Sequence, residues 1–367
     1  MSTIKVDTIT NDGSTVDFTY NAKVGAGSGT LKKEYYEQST EPTYPCDGAL
    51  WFNTSDDVFK IYANDGWYTT AITEPPPPIL GNRGLFAGGD VSNTEQNNID
   101  YIDISTTGNA TDFGNLTQAR AFLAGCSNGS RGILAGGHSQ SNTTFYNIIE
   151  YITIANTGNG TDFGDLSTTA RGCAAVSNGS IAAIALGQAS SGTVNTIDYI
   201  TIATTGNSQD FGDLTVARKQ LGGASSTTRG LFAGGNPGPK NEIDYITIST
   251  PGNATDFGDL TVARGSAPAG CSNGTRALFG GGYASNVSDV IDYVTIATTG
   301  NATDFGNLIA VQYNMAACAN ITRALFGGGG NTPVDVIQYV TISTPGNATD
   351  FGDLTLARRY LTGLSGN

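Results

Sequence analysis

Residues 229–264 read RGLFAGGNPGPKNEIDYITISTPGNATDFGDLTVAR, and close copies of this stretch fill most of the chain. Aligned on one tyrosine, the copies are spaced by 50, 48, 46, 48 and 46 residues, at Tyr101, Tyr151, Tyr199, Tyr245, Tyr293 and Tyr339. A period of this length with several short strands per copy is typical of a β-propeller, where each copy forms one blade. Six copies predict an all-β, six-bladed propeller over residues 79–367.

Each copy is expected to supply four strands. In the first copy, LFAGG (85–89) predicts the second strand of a blade and IDYIDI (99–104) the third. The fourth strand is expected around DFGDLT (256–261), and the first strand directly after an arginine, as in 121–127. The second and third strands are apolar on both faces, which suits a sheet packed between two others.

The two ends of the repeat region predict how the ring closes. The first copy starts at its second strand, whereas the chain stops at residues 359–367, a first strand with no copy after it. We therefore expect the C-terminal strand to pair beside 85–89 and complete the first blade. Such a closure removes an exposed sheet edge.

Charged residues recur at two positions of the repeat. An arginine precedes the first strand and an acid precedes the tyrosine, but one copy has Gln312 and Gln338 instead. Because both charges are absent together, we predict structural ion pairs, since removing one partner of a buried pair costs more than replacing both. The predicted pairs are Arg120–Glu150, Arg171–Asp198, Arg218–Asp244, Arg264–Asp292 and Arg358–Asp100.

Residues 1–73 lie outside the repeat. Alternating residues flank Asn11-Asp12-Gly13, which indicates a hairpin, and residues 49–70 predict a small antiparallel sheet with a turn at Asn64-Asp65-Gly66. The prolines in 74–78 predict a stiff linker to the propeller.

Composition limits the partners. The net charge is −14, with 18 Lys and Arg against 32 Asp and Glu, so nucleic acid and anionic membrane surfaces are disfavoured. No apolar run is long enough to span a bilayer. The N-terminus lacks the apolar core of a signal peptide, which predicts a protein made in the cytoplasm without Sec-type export.

The sequence offers little for catalysis. His138 is the single histidine and is expected in an exposed loop, and no cofactor or phosphate-binding motif is present. Cys126, Cys173, Cys271 and Cys318 are interpreted as buried hydrophobes in one shared position of the repeat. The repeated Asp-Phe-Gly-Asp turns could be considered for calcium but lack a dense run of oxygen ligands. We expect no enzyme activity, no cofactor and no metal site.

A binding surface is expected where the copies differ. The loops between the second and third strands vary most: 90–98, 138–147, 188–196, 236–242, 283–290 and 331–336. His138, Phe145, Tyr146 and Tyr283 lie in them, and aromatic side chains beside Asn and Ser suit sugar or protein recognition. Neutral drift of loop sequences remains an alternative explanation.

The N-terminus MSTIKVDTITNDG resembles those of tail-fibre and other virion proteins of bacteriophages, especially marine cyanophages. Residues 45–54, PCDGALWFNT, with FKIY (59–62) and GWY (66–68), resemble a small β-module of such fibres. The repeats resemble Kelch units in their Gly-Gly pair and tyrosine, but lack the usual tryptophan, so the likeness concerns architecture.

This resemblance implies a virion protein whose residues 1–73 attach to other virion proteins, as a homotrimer, and whose propeller is displayed. The leading hypothesis is a tail-fibre or tail-associated protein that binds a host-surface glycan or protein. A purely structural virion protein, such as a head decoration or an adaptor, is the alternative. A carbohydrate-active enzyme is a third, but a unique carboxylate pair is missing.

Overall fold

The computed structural model describes residues 6–11, 16–20, 35–38, 40, 42–43, 49–53, 58–63, 66–69, 81–139, 144–266, 268–283 and 286–366. These residues form strands and turns, with no helix among them. The chain divides into two compact units, Met1–Thr73 and Glu74–Asn367. The predicted proline linker, 74–78, lies outside the described residues.

The first unit contains two small sheets. Its strands are β1 (Val6–Asn11), β2 (Val16–Tyr20), β3 (Tyr35–Gln38), β4 (Leu50–Asn53), β5 (Val58–Ala63) and β6 (Gly66–Thr69). β1 and β2 pair antiparallel, as the hairpin prediction requires, and β4, β5 and β6 form an antiparallel meander. The prediction omitted β3, which pairs parallel to β4, because no turn signal links the two strands in the sequence.

The second unit contains the following strands in chain order. The first part of the unit has β7 (Arg83–Ala87), β8 (Asp90–Val91), β9 (Thr94–Glu95), β10 (Asn98–Asp103), β11 (Thr111–Asn115), β12 (Ala124–Ser127), β13 (Arg131–Ala135), β14 (His138–Ser139), β15 (Thr144–Thr153) and β16 (Thr161–Arg171). The middle has β17 (Ala174–Ser177), β18 (Ile181–Ala185), β19 (Gln188–Ala189), β20 (Gly192–Thr193), β21 (Thr196–Thr201), β22 (Gln209–Asp213), β23 (Gly222–Ser225), β24 (Arg229–Ala233), β25 (Lys240–Thr247) and β26 (Thr255–Arg264). The last part has β27 (Ala269–Ser272), β28 (Arg276–Gly280), β29 (Val290–Thr295), β30 (Thr303–Asn307), β31 (Ala316–Ala319), β32 (Arg323–Gly327), β33 (Val336–Thr341), β34 (Thr349–Asp353) and β35 (Thr362–Gly366).

Small antiparallel sheets arrange this unit as a β-propeller. Within the described residues, four sheets have four consecutive long strands each: β17-β18-β21-β22, β23-β24-β25-β26, β27-β28-β29-β30 and β31-β32-β33-β34. A fifth four-stranded sheet has the order β11-β10-β7-β35. The strands β12-β13-β15-β16 belong to a larger sheet. In it, β16 also pairs with β19 of the next copy, and β19 pairs with β20.

The chain termini of the propeller meet in one sheet. β35 pairs antiparallel with β7, with Leu364 opposite Leu85 and Gly366 opposite Arg83. The C-terminal strand therefore takes the inner position that β12, β17, β23, β27 and β31 take in the other sheets. β7 thus has a partner on each side, so that neither of its edges is open.

The inner strands surround the centre of the unit. Each contacts the next in a cycle from β35 through β12, β17, β23, β27 and β31 back to β35. Apolar clusters fill the spaces between neighbouring sheets, and Phe86, Phe232, Phe279 and Phe326 are fully buried there. Burial of both sheet faces explains why the second and third strands carry almost continuous apolar sequence.

The first strand of each sheet starts later than the sequence predicted. β12 begins at Ala124, three residues after the expected start at 121, because Phe122 has a φ of 59° and cannot belong to an extended strand. No described residue belongs to a helix of the length and apolarity needed to cross a membrane.

Candidate binding face

One end of the propeller is built by two kinds of segment. The loops that follow the Gly-Gly pairs bridge to the segments that lead into the inner strands, through Asp90–Arg359, Ala121–His138, Lys219–Asn236 and Gly265–Tyr283. Arg171 and Gln188 pair in the same way through β16 and β19. The variable loops therefore share a face with the approaches to the central cavity.

A ring of left-handed residues lies on this face. Equivalent positions of the copies have φ between 53° and 63°: Phe122, Gly172, Gln220, Ser266, Asn314 and Tyr360. Non-glycine residues adopt this conformation at a cost of about 1–2 kcal/mol each. Backbone hydrogen bonds between neighbouring copies offset part of that cost, from Phe122 N–H to the Tyr360 carbonyl (2.9 Å), Gly172 to Phe122 (2.9 Å), Gln220 to Gly172 (2.8 Å), Asn314 to Ser266 (3.3 Å) and Tyr360 to Asn314 (2.9 Å).

The residues of this ring differ in every copy, whereas the third-strand and Asp-Phe-Gly segments of the repeat are nearly constant. Phe122 stacks on Tyr360 with ring centroids 3.9 Å apart, and both line the narrow central cavity of about 80 Å³. Asn314 is buried there, and its Oδ1 has no hydrogen-bond partner among the described residues. The sequence analysis missed this ring because it assigned the position to a strand. The change of residue type at this position in every copy was the available signal.

The prediction that His138 is an exposed loop residue is wrong. His138 lies in β14, is 2% exposed, and exchanges backbone hydrogen bonds with Ala121. Its ring packs against Phe122 at 5.1 Å and Phe145 at 6.2 Å. Burial, with the nearby Arg171 charge, lowers the pKa of His138 to about 4, so the imidazole is neutral at pH 7. His138 is therefore a buried residue that packs against the aromatic side chains of the face.

The other predicted contact residues fall in two places. Phe145 and Tyr146 lie in β15 and are partly buried, with Phe145 beside His138. Tyr283 is 44% exposed and packs near Tyr313, at 5.9 Å, in a different copy. The structure therefore joins Phe145 to the ring through His138, whereas Tyr283 forms a separate aromatic pair.

Four of the predicted ion pairs are formed, each with both side chains 0% exposed: Arg120–Glu150 (2.7 Å), Arg218–Asp244 (2.8 Å), Arg264–Asp292 (2.5 Å) and Arg358–Asp100 (3.0 Å). Each carboxylate also accepts hydrogen bonds from the backbone and hydroxyl of one threonine, as Asp244 does from Thr215. Burial lowers the pKa of Arg120, Arg264 and Arg358, which the paired carboxylates counteract. Each pair fixes the segment that leads into an inner strand to the third strand of the same sheet.

The predicted pair Arg171–Asp198 is not formed. Counted from the preceding leucine, Arg171 is one residue too late, and Ala170 occupies the position of Arg120. Arg171 instead reaches the surface of the face, where its Nε donates to Gln188 Oε1 at 3.1 Å. The sequence comparison aligned arginines by type and missed the one-residue shift.

Two further substitutions accompany the missing arginine. Leu186 replaces the glycine of the other Gly-Gly pairs and packs with Ala170 in the buried core. Asp198, 0% exposed, accepts hydrogen bonds from Ser167 and, at 2.6 Å, from the hydroxyl of Ser208. Ser208 stands where four of the other copies have alanine, as at Ala254. The serine hydroxyl thus takes over hydrogen bonding that arginine supplies elsewhere.

The Ser208→Ala variant tests this replacement. We expect it to lower the free energy of unfolding by about 1–3 kcal/mol, because a buried carboxylate loses a donor. Ala254→Ser is the matched control, since Asp244 already has its arginine, and should change stability by less than about 0.5 kcal/mol. Urea denaturation measures both, and equal effects of the two changes would refute the compensation.

In the copy with Gln312 and Gln338, the Gln338 side-chain amide retains one of the hydrogen bonds that the carboxylates make in other copies. Gln338 is buried, and its Oε1 accepts the Ile309 N–H at 2.7 Å, as the carboxylates accept threonine N–H groups. Both charges are absent here, whereas the copy with Ala170 retains Asp198. Joint loss is therefore one of two ways in which this chain dispenses with the arginine.

The four cysteines of the propeller are free and buried. Cys126, Cys271 and Cys318 share one position, opposite Ile133, Leu278 and Leu325. Cys173 was wrongly placed with them, because Val176 occupies that position in its copy, opposite Ala183. Burial raises the pKa of the Cys126, Cys173 and Cys271 thiols to about 12, which leaves them protonated at pH 7.

The Asp-Phe-Gly-Asp and Asp-Phe-Gly-Asn motifs lie in strands, as in β11, and make contacts between sheets. The backbone N–H of the residue after each glycine donates to an asparagine of the next copy, as Asn115 does to Asn159 Oδ1 at 3.0 Å. The same bond recurs at Asp165, Asp213, Asp259, Asn307 and Asp353. No group of three or more metal-ligating side chains is found in the described part of the chain.

A comparison with known proteins found no family model that matches the chain and no curated protein that matches it.

Proposed function

We propose that the protein is a non-enzymatic virion component that recognises a host surface through the variable face of its propeller. The observation that carries this proposal is the left-handed ring, in which strained backbone positions present unlike side chains over a constant scaffold. Strained backbone concentrates at functional sites. The phage resemblance of residues 1–73 supports a tail-fibre or tail-associated position.

We infer that the ring has six blades. Six inner strands contact one another in a closed cycle, and six sequence copies supply them. The larger sheet counts as one blade, β12-β13-β15-β16, joined to a small ribbon of the next copy by the Arg171–Gln188 pairing. In this arrangement the first blade is completed by β35.

The proposal assigns separate roles to the two units. Residues 1–73 attach to other virion proteins and assemble a homotrimer, which displays three propellers for binding a host-surface glycan or protein. Locating the protein in intact particles by electron microscopy tests this assignment. A peripheral tail position supports it, and a place in the capsid lattice contradicts it in favour of a decoration protein.

Adsorption of the labelled full-length protein to a panel of cyanobacterial strains, the hosts that the resemblance implies, tests recognition. Phe145→Ala and Tyr283→Ala are expected to reduce adsorption about tenfold or more, because aromatic anchors dominate such contacts. Ile321→Ala is the matched control, since Ile321 is 65% exposed in a turn between inner and second strands, at the other end of the sheet. Unchanged adsorption of both aromatic variants would remove these two residues from the recognition surface.

A further inference from the structure

Two cations from neighbouring copies converge on one amide. Arg171 Nε and Lys219 Nζ both donate to Gln188 Oε1, at 3.1 Å and 2.7 Å. Arg171 and Lys219 occupy equivalent positions of the repeat, directly before two residues of the left-handed ring, Gly172 and Gln220.

Neither cation has a carboxylate partner among the described residues, although the chain has a net charge of −14. The equivalent Arg359 shows the contrast, because its Nε donates to Asp90 Oδ1 at 2.8 Å, where Arg171 meets Gln188. Burial lowers the pKa of Arg171 and of Lys219, and the Arg171 charge lowers the pKa of Lys219 further. Two adjacent like charges are stabilised when an anion joins them.

The surroundings of the cations form a groove, which we call the Gln188 groove. A cavity of about 100 Å³ is lined by Phe122, Arg171, Gly172, Gln188, Lys219 and Gln220. Gln188 also lines a wider depression of about 570 Å³ with Phe145, Thr169 and Ser190. The Arg171 guanidinium lies 4.7 Å from the Phe145 ring centre. No hydrogen bond joins its Nη groups to an acceptor among the described residues.

We propose that the Gln188 groove binds a saccharide that carries an oxyanion, either a carboxylate or a sulfate ester. The guanidinium and ammonium groups would bind the oxyanion through charge-assisted hydrogen bonds. Phe122 and Phe145 line the two parts of the groove and would supply apolar contacts to the sugar beside their packing on Tyr360 and Arg171. The hydroxyl and amide groups of Thr169, Ser190 and Gln220 suit its hydroxyls. This inference rests on the proposed host-surface recognition and names the ligand class.

Isothermal titration of the full-length protein with three probes tests the groove: a hexameric oligogalacturonate, dextran sulfate and uncharged dextran. We expect binding of one or both charged probes and none of uncharged dextran. Binding of oligogalacturonate alone assigns a carboxylate, binding of dextran sulfate alone assigns a sulfate, and binding of both assigns a general oxyanion site.

Substitutions test whether saccharide binding depends on the Gln188 groove or on the rest of the protein surface. Arg171→Gln and Lys219→Gln should each weaken binding at least tenfold, as expected for loss of a charge-assisted contact. Gln188→Glu retains both cations but supplies an internal carboxylate, and should also abolish binding while raising the melting temperature. Lys240→Gln removes a cation that lies near Glu242 outside the groove, at 3.8 Å, and should bind like the parent protein.

Failure of both charged probes to bind, or unchanged affinity of the Arg171→Gln/Lys219→Gln double variant, overturns the inference. Cell adsorption distinguishes this failure from failure of the proposed function. If the parent and the double variant adsorb equally well, host recognition stands and the groove is excluded from it. If the parent binds a charged saccharide but adsorbs to no strain, the groove stands and host recognition is wrong.

Discussion

Removal of residues 357–367 is expected to abolish cooperative folding of the propeller and to produce aggregates. The deletion removes β35 from the edge of β7, together with the buried side chains of Leu361 and Leu364 and the Arg358 partner of Asp100. Each buried leucine contributes about 2–5 kcal/mol and the broken ion pair about 3–5 kcal/mol, which together reach the total stability of a typical domain. Circular dichroism during heating and size-exclusion chromatography measure the outcome.

The control for this deletion moves the same strand. Residues 357–366 are placed directly before residue 81 in the truncated chain. A copy of the sequence Asn128-Gly129-Ser130, which connects β12 to β13 in the parent protein, links the two segments. This rearranged chain should fold, because β35 regains its position beside β7. A truncated protein that melts cooperatively within about 3 °C of the parent would show that closure by β35 is dispensable.

Arg218→Ala is expected to lower the free energy of unfolding by about 3–5 kcal/mol, because it leaves the buried Asp244 carboxylate without its cation. The variant also removes donors from the carbonyl oxygens of Gly234 and Glu242, which accept from Arg218 Nη1 at 3.1 Å and 2.7 Å. Chemical denaturation with fluorescence detection gives the free energy directly.

Two companion variants sharpen this test. Arg171→Ala removes an arginine with no ion pair among the described residues and should cost less than about 1 kcal/mol. Arg218→Gln/Asp244→Gln copies the residues found at Gln312 and Gln338, and should be more stable than Arg218→Ala because no buried charge remains. A loss below about 1 kcal/mol for Arg218→Ala would mean that the pair contributes little to stability.

The sequence was informative wherever one residue type recurs with a constant spacing. The β-propeller class, the pairing of the C-terminal strand with β7 and four ion pairs all follow from comparing copies, because equivalent positions in a repeat have equivalent neighbours. The same comparison failed at Arg171, where a shift of one residue moved the guanidinium from the buried position to the face. A left-handed residue turns the backbone, so the side chains on its two sides point in different directions. Aligning Arg171 one residue away from its true position therefore predicted the wrong surroundings for its side chain.

The sequence by itself therefore determined the scaffold, since repetition encodes the same local pairing in every copy. Only the tertiary structure decided that His138 is buried and that Arg171 and Lys219 meet at Gln188. Those contacts join side chains of adjacent copies, across sheets whose relative placement depends on packing of the whole ring. The C-terminal strand belongs to both categories: its pairing was predictable from the ends of the repeat, whereas the cycle of inner strands that it completes exists only in the folded ring.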